Sequence, residues 1–157
     1  MSSQQIPVLD QATLYSLMDK VIVQITQQVA KIDLTGCNVA PSDEDQTRLC
    51  SVQTILDGLY HEKWEFCADR EFFHRVTENM METQSDDPTD LEEYSKEFFN
   101  VLCGHLVAEI FRYTNVPTRF EVPSFVSACP TNLCEQEDLS MCYSSDHAET
   151  VIFRAVS

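Results

Sequence analysis

The polar residues with most chemical potential lie in one largely apolar stretch near the middle of the sequence. Glu97, Asn100 and Gly104 are spaced three and four residues apart. At about 100° per residue, this spacing puts them in a row on one side of a helix, opposite Phe99 and Leu102. Side chains three apart are neighbours on a helix surface. The row predicts an acid beside an amide, with a low surface at Gly104 that another molecule could approach.

The residues alone leave a second interpretation open, and periodicity by itself favours it. In that interpretation Glu97 is a solvated charge, Asn100 is an ordinary surface amide, and Gly104 lets another helix pack closely. A glycine inside a helix costs about 1 kcal/mol relative to alanine. Either packing or docking would explain its presence.

Other common catalytic motifs are missing from the sequence. The three glycines, at positions 36, 58 and 104, cannot build a phosphate-binding loop. There is no Gly-x-Ser-x-Gly elbow and no His-Glu-x-x-His pair. Cys103 and His105 are two apart, so they would not face each other on a helix. The remaining histidines fit surface or core-edge positions better than catalytic ones: His61, His74 and His147.

The seven cysteines leave open a third hypothesis, a thiol-based redox or metal sensor. Cys129, Cys134 and Cys142 are the nearest approach to a metal-binding cluster. Their spacing is wider than that of the usual zinc-binding pair, and no second pair follows. We therefore predict no metal and no cofactor of the protein's own.

Length and charge limit the function further. The chain has 157 residues, 43% of them hydrophobic, which predicts a single domain spanning residues 1–157. A net charge of −16 argues against nucleic acid as a partner and against binding to an anionic membrane. No apolar run approaches the ~20 residues of a membrane span. With no secretion signal at the N-terminus, the sequence predicts a cytoplasmic protein with reduced thiols.

Hydrophobic periodicity predicts the elements that position the central row. The predicted fold is α+β, a mainly antiparallel sheet packed with long helices, because consecutive strands are joined by tight turns. Asp10, Asp69 and Thr89 are the predicted helix caps, Thr89 in a capping box with Glu92. The first predicted elements are a helix from Asp10 to about Lys31 and the strands Ile32–Val39, Cys50–Leu56 and Leu59–Cys67, the last two joined by a two-residue turn at Asp57-Gly58. Two helices follow, one starting at Asp69 and one running from Thr89 to about Tyr113. The chain then continues as an extended segment, Arg119–Ala128, and a hairpin of Leu139–Ser144 and Glu149–Val156.

The string Glu97-x-x-Asn100-x-x-x-Gly104 resembles the signature of the CheC/CheX/FliY family of chemotaxis phosphatases. Its surroundings are also similar to that family: a strand pair turned at glycine, a helix, the signature helix, and an extended segment with Pro117 and Pro123. One signature rather than two makes the chain CheX-like. The resemblance implies a homodimer joined along a sheet, with the last strands as candidates for the interface.

The resemblance also implies a function and residue roles. The family removes the phosphate from an aspartate of the response regulator CheY. Asn100 would orient the attacking water, Glu97 would pair with the regulator's active-site lysine, and Gly104 would keep the docking surface open. Mg²⁺ would be bound by the phosphorylated regulator. The alternative is a non-catalytic module of the same fold that docks a response regulator or a flagellar switch component.

Overall fold

The computed structural model describes residues 9–37, 48–58, 60–127 and 137–157. The helices in these ranges are α1 (Gln11–Ala30), α2 (Arg70–Met81) and α3 (Pro88–Thr114). The strands are β1 (Leu34–Gly36), β2 (Cys50–Asp57), β3 (Lys63–Ala68), β4 (Arg119–Phe120), β5 (Ser124–Val126), β6 (Glu137–Ser145) and β7 (Thr150–Val156).

All seven strands form one antiparallel sheet in the order β1-β6-β7-β3-β2-β4, with β5 also pairing with β2. One face of the sheet packs against the helices. Alternate residues of β2 and β7 enter this core: Val52, Leu56, Val151, Phe153 and Ala155. The predicted α+β fold, an antiparallel sheet with long helices, is confirmed. That residues 1–157 form one domain stays a prediction.

A cluster of phenylalanine rings joins the sheet to α2 and α3. The ring of Phe66 on β3 lies 5.4–6.4 Å from the rings of Phe72, Phe73, Phe98 and Phe99. All five side chains are fully buried. Aromatic pairs at such distances add about 0.5–1.5 kcal/mol each beyond the burial of area. The cluster therefore fixes α3 on the sheet.

The predicted two-residue turn at Asp57-Gly58 is wrong. Asp57 belongs to β2 and pairs with Arg119 of β4, and β3 begins only at Lys63. Gly58 serves a close backbone approach instead. Its φ is +146°, and a Cβ there would lie 2.7 Å from the carbonyl oxygen of Pro117.

The predicted helix caps have mixed outcomes. The Asp10 carboxylate caps α1 by accepting from the Thr13 backbone N–H at 2.8 Å, as predicted. The predicted cap of α2, Asp69, makes no side-chain hydrogen bond to its helix and accepts from the Thr150 N–H of β7 instead. The cap of α3 is Asp87 rather than Thr89, because Pro88 fits the first helical position, where no backbone donor is needed.

The edge strands differ in part from the prediction. β1 is shorter than the predicted Ile32–Val39, of which residues 38 and 39 lie outside the described residues. The predicted Arg119–Ala128 segment forms two short strands, β4 and β5, at the edge of the sheet, with Pro123 between them. Most of the predicted loop Cys129–Asp138 lies outside the described residues.

Candidate functional site

Helix α3 presents the predicted site on a fixed backbone. Phe98 and Phe99 stand in sequence between Glu97 and Asn100, and both are fully buried. The helix has 27 residues, or about 40 Å at 1.5 Å per residue, and ends at Asn115 in a left-handed conformation with φ 57°. Because the two flanking rings are packed in the core, the backbone carrying Glu97 and Asn100 cannot rotate away from solvent.

The side chains of Glu97 and Asn100 are both exposed, as predicted. Within the described ranges, neither forms a side-chain hydrogen bond or an ion pair. The neighbouring acids of the helix differ in this respect. The Lys96 ammonium lies 3.0 Å from the Glu93 carboxylate and 4.0 Å from that of Glu92. Glu97 therefore keeps its charge available for a cation from outside.

Gly104 leaves the surface beside Asn100 open. Among the described residues, no heavy atom beyond the helix's own local backbone lies within 4 Å of where a Cβ at Gly104 would stand. The structure thus contradicts the interpretation in which this glycine lets another helix of the chain pack closely. No packing inside the described part of the chain therefore requires glycine at this position.

Two cations of α3 are paired with acids of the same helix. Lys96, next to Glu97 in sequence, pairs with Glu93. The Arg112 guanidinium donates to the Glu109 carboxylate at 2.9 Å and lies about 18 Å along the helix from Asn100. Such exposed pairs contribute about 0.3–0.5 kcal/mol each.

A groove of about 520 Å³ runs between α1 and α3, beside the site but not including it. This groove was not predicted from the sequence, because α1 was predicted only as a helix and its exposed side was assigned no function. The signal was the polar series Lys20, Gln24 and Gln28, at four-residue spacing on one side of α1. Glu97 and Asn100 are exposed and do not line this groove.

The cysteine and histidine pair of α3 cannot act together. Cys103 is fully buried, and burial raises the pKa of its thiol well above its usual value. His105 is exposed and lines the α1–α3 groove. The prediction that these two side chains do not face each other is confirmed.

Two searches for other kinds of site were negative in the described part of the chain. No group of three or more His, Cys, Asp and Glu side chains could hold a metal ion in residues 9–37, 48–58, 60–127 and 137–157. Cys129 and Cys134 lie outside these ranges. Over the same ranges, no helix combines the length and apolarity needed to cross a membrane.

Comparison of sequences gives no relative: no protein-family model and no curated protein matches the chain. Comparison of structures gives several. A CheC-like superfamily protein from Shewanella sp. PV-4 has a TM-score of 0.73 at 11% identity, covering 94% of this chain and 99% of that one. CheX from Vibrio vulnificus has a TM-score of 0.72 at 12% identity, covering 96% and 100%.

A third similar structure contains a partner. It is the complex of CheX with CheY, BeF₃ and Mg²⁺ from Borrelia burgdorferi, with a TM-score of 0.69 at 12% identity, covering 92% of this chain and 96% of that one. The TM-scores of 0.69–0.73 establish a shared fold, although the identities are only 11–12%. The chain has the CheX-like fold of the CheC/CheX/FliY chemotaxis proteins, and the family resemblance indicated by its signature is confirmed at the level of the fold.

Proposed function

We propose that this protein hydrolyses the aspartyl phosphate of a CheY-type response regulator. The observation that carries the proposal is the pair Glu97 and Asn100, exposed and without partners among the described residues, on a helix whose opposite face is locked in the core. The shared fold with a CheX that was solved in complex with CheY supports a receiver domain as the partner.

Asn100 would position the attacking water. Hydrolysis of an acyl phosphate needs a water molecule in line with the bond that breaks, and catalysis is mainly positioning and charge stabilisation. A carboxamide oxygen can accept a hydrogen bond from that water, while its NH₂ donates to a phosphoryl oxygen. The products are inorganic phosphate and the restored aspartate of the regulator.

Glu97 would anchor the complex by pairing with the lysine of the regulator's active site. An ionised carboxylate facing an ammonium makes the stronger class of hydrogen bond. Gly104, one turn beyond Asn100, gives clearance for the docked surface. The phosphatase supplies no metal in this scheme, since the Mg²⁺ belongs to the regulator and neutralises the phosphoryl group there.

We also propose that the protein acts as a homodimer in the cytoplasm, where a CheY-type regulator would be found. The last strands offer only part of the predicted interface. Strand β7 is paired on both sides, with β3 and β6, so its edge cannot join a second sheet. Pairing along the sheet must use edges outside β7, and sedimentation equilibrium would measure the association.

The proposal is tested by mixing the protein with a panel of phosphorylated receiver domains and following loss of phosphate. We expect faster decay for at least one receiver, and slower decay when Glu97→Gln replaces the wild type. Glu92→Gln is the matched control, because it removes the same charge from the same helix away from the row. Unchanged decay across the panel would overturn the enzyme assignment. Binding without faster decay would identify the non-catalytic docking module instead.

A further inference from the structure

Strands β1 and β6 bring two cysteines directly opposite each other. Gly36 of β1 faces Tyr143 of β6, so the next residues in register are Cys37 and Cys142. The Cys37 backbone N–H donates to the Cys142 carbonyl oxygen at 2.9 Å, which extends the ladder by one residue. Opposite residues of an antiparallel pair project their side chains from the same face of the sheet. The two thiols are therefore neighbours.

The two thiols also interact through their side chains. Burial is the main cause that raises the pKa of Cys142 to about 11, and the charge of Cys37 and a hydrogen bond with its thiol contribute. Both side chains are half-buried, whereas Cys50, Cys67 and Cys103 are buried. Among the described cysteines, this pair is the one that a small oxidant in solution can reach.

Backbone geometry at this position is compatible with a disulfide. Hydrogen-bonded antiparallel pairs place their Cα atoms about 5.5 Å apart, inside the range of about 4.4–6.8 Å found for disulfides. The Cβ atoms of a hydrogen-bonded pair lie toward the far end of the range of about 4.5–5.5 Å, well beyond the ~3.8 Å that a disulfide prefers. Closure therefore needs an inward shift of roughly 1–1.5 Å. Strand β1 can make this shift because it is a three-residue strand at the sheet edge.

We propose that Cys37 and Cys142 form a reversible disulfide that ties edge strand β1 to β6 when the protein meets a peroxide. One of the two thiolates attacks one oxygen of hydrogen peroxide, giving a sulfenic acid and releasing hydroxide, which takes up a proton to become water. The sulfur of the other thiol then attacks the sulfenic sulfur, its proton leaves with the hydroxyl group, and a second water is released. Two thiols and one peroxide give one disulfide and two waters.

Either thiol can meet the peroxide first, because both side chains are half-buried. The inward shift needed for closure strains the bond and makes it easy to reduce again, as expected of a labile rather than a structural disulfide.

This disulfide would form on the face of the sheet that points away from α3. Cys142 packs beside Leu49, Cys67 and Ile152, a cluster separate from the main core. The proposal therefore does not depend on the activity proposed for Glu97 and Asn100. It could hold or fail whether or not the protein is a phosphatase.

The test is peptide mapping of the peroxide-treated full chain under non-reducing conditions, after alkylation of remaining thiols. We expect a linked peptide pair containing Cys37 and Cys142, which dithiothreitol separates. A Cys129→Ser/Cys134→Ser variant should still form the link, and Cys37→Ser or Cys142→Ser should abolish it. Because the bridge closes a loop of roughly 100 residues, the Tm of the oxidised protein should rise by about 5–10 °C.

Two results would overturn the proposal. One is a disulfide that maps to any other pair of cysteines. The other is peroxide treatment that leaves Cys37 alkylatable, or oxidises it to sulfinic acid with no cross-link. Both results are measured on the wild-type protein, so they test the proposal even if a serine variant fails to fold.

Discussion

Helix α3 has two faces that differ in what they contact. Phe98 and Phe99 are fully buried and pack against the ring of Phe66, whereas the side chains of Glu97 and Asn100 form no hydrogen bond or ion pair within the described residues. One face packs in the core and stabilises the fold, and the other exposes polar side chains that form no hydrogen bonds within the described residues. Substitutions on the first face should lower the free energy of unfolding, and substitutions of Glu97 and Asn100 should change function with little effect on stability.

The largest effect on stability is expected from Phe98→Ala. Truncation removes ring contacts to Phe66 and Phe72 and leaves a cavity, so we expect a loss of about 3–5 kcal/mol in the free energy of unfolding, measured by denaturant titration. Phe111→Ala on the same helix is the control. That side chain is 45% exposed, and the loss should be about 1 kcal/mol or less. Equal losses would contradict the division of the helix into two faces.

Gly58 and Gly104 show the same contrast between closely packed and open surroundings. Gly58 lies against the backbone of another segment. Its φ of +146° is strained for other residues, and an added Cβ would meet backbone atoms of Pro117 and Thr118 at 2.7 and 2.8 Å. We expect Gly58→Ala to lower the free energy of unfolding by about 1–3 kcal/mol. An unchanged Tm in thermal unfolding would mean that the backbone at Pro117 and Thr118 can move away from the added methyl group without loss of stability.

Gly104 lies on the open surface, so alanine at this position should raise the free energy of unfolding rather than lower it. No described atom beyond the local helix backbone lies within 4 Å of an added Cβ, and alanine is the better helix former. We expect Gly104→Ala to raise the free energy of unfolding by about 0.5–1 kcal/mol. Binding to the regulator should weaken in the same variant. Greater stability with unchanged binding would remove Gly104 from the proposed docking surface.

The smallest effect concerns an ion pair far from the site, between α2 and the β6–β7 turn. The Arg75 guanidinium donates to the Asp146 carboxylate at 2.8 Å, and this hydrogen bond lowers the pKa of Asp146 below its usual 3.8. Stability from the pair is present above that pH and is lost as pH falls through the lower, folded-state value. Asp146→Asn should cost less than about 1 kcal/mol at pH 7, because the pair is partly exposed.

The same variant should also unfold with a weaker dependence on pH below about pH 4. Acid unfolding curves of the two proteins measure this directly. An identical acid dependence would show that the ion pair between Arg75 and Asp146 contributes nothing to the pH dependence of stability.

The exposed row on α3 could be predicted from the sequence because helical periodicity reports which residues share a face. Periodicity also located the long helices and the alternating strands of the core. Asp69 is the N-cap residue of α2, as predicted, but periodicity could not show that its carboxylate bonds to Thr150, some 80 residues away. It also missed the cap of α3, because a proline changes where that helix begins. Local turn chemistry failed at Gly58 for a similar reason, since its conformation is set by the distant Pro117.

The sequence also could not predict which distant residues pair in the folded chain. Cys37 and Cys142 become neighbours only through the order of strands in the sheet. Likewise, spacing showed that Glu97 and Asn100 share a surface, but not that Lys96 turns to Glu93 and leaves Glu97 without a partner among the described residues.

The central claim is that Asn100 acts on the phosphoryl group rather than in docking or folding. The direct measurement compares wild type with Asn100→Ala in single-turnover dephosphorylation of the cognate receiver domain, alongside affinity for the same domain loaded with BeF₃ and Mg²⁺. We predict a rate lower by about 10²-fold, with the affinity and the free energy of unfolding essentially unchanged. A rate equal to that of the wild type, or a loss fully accounted for by weaker binding, would contradict the claim.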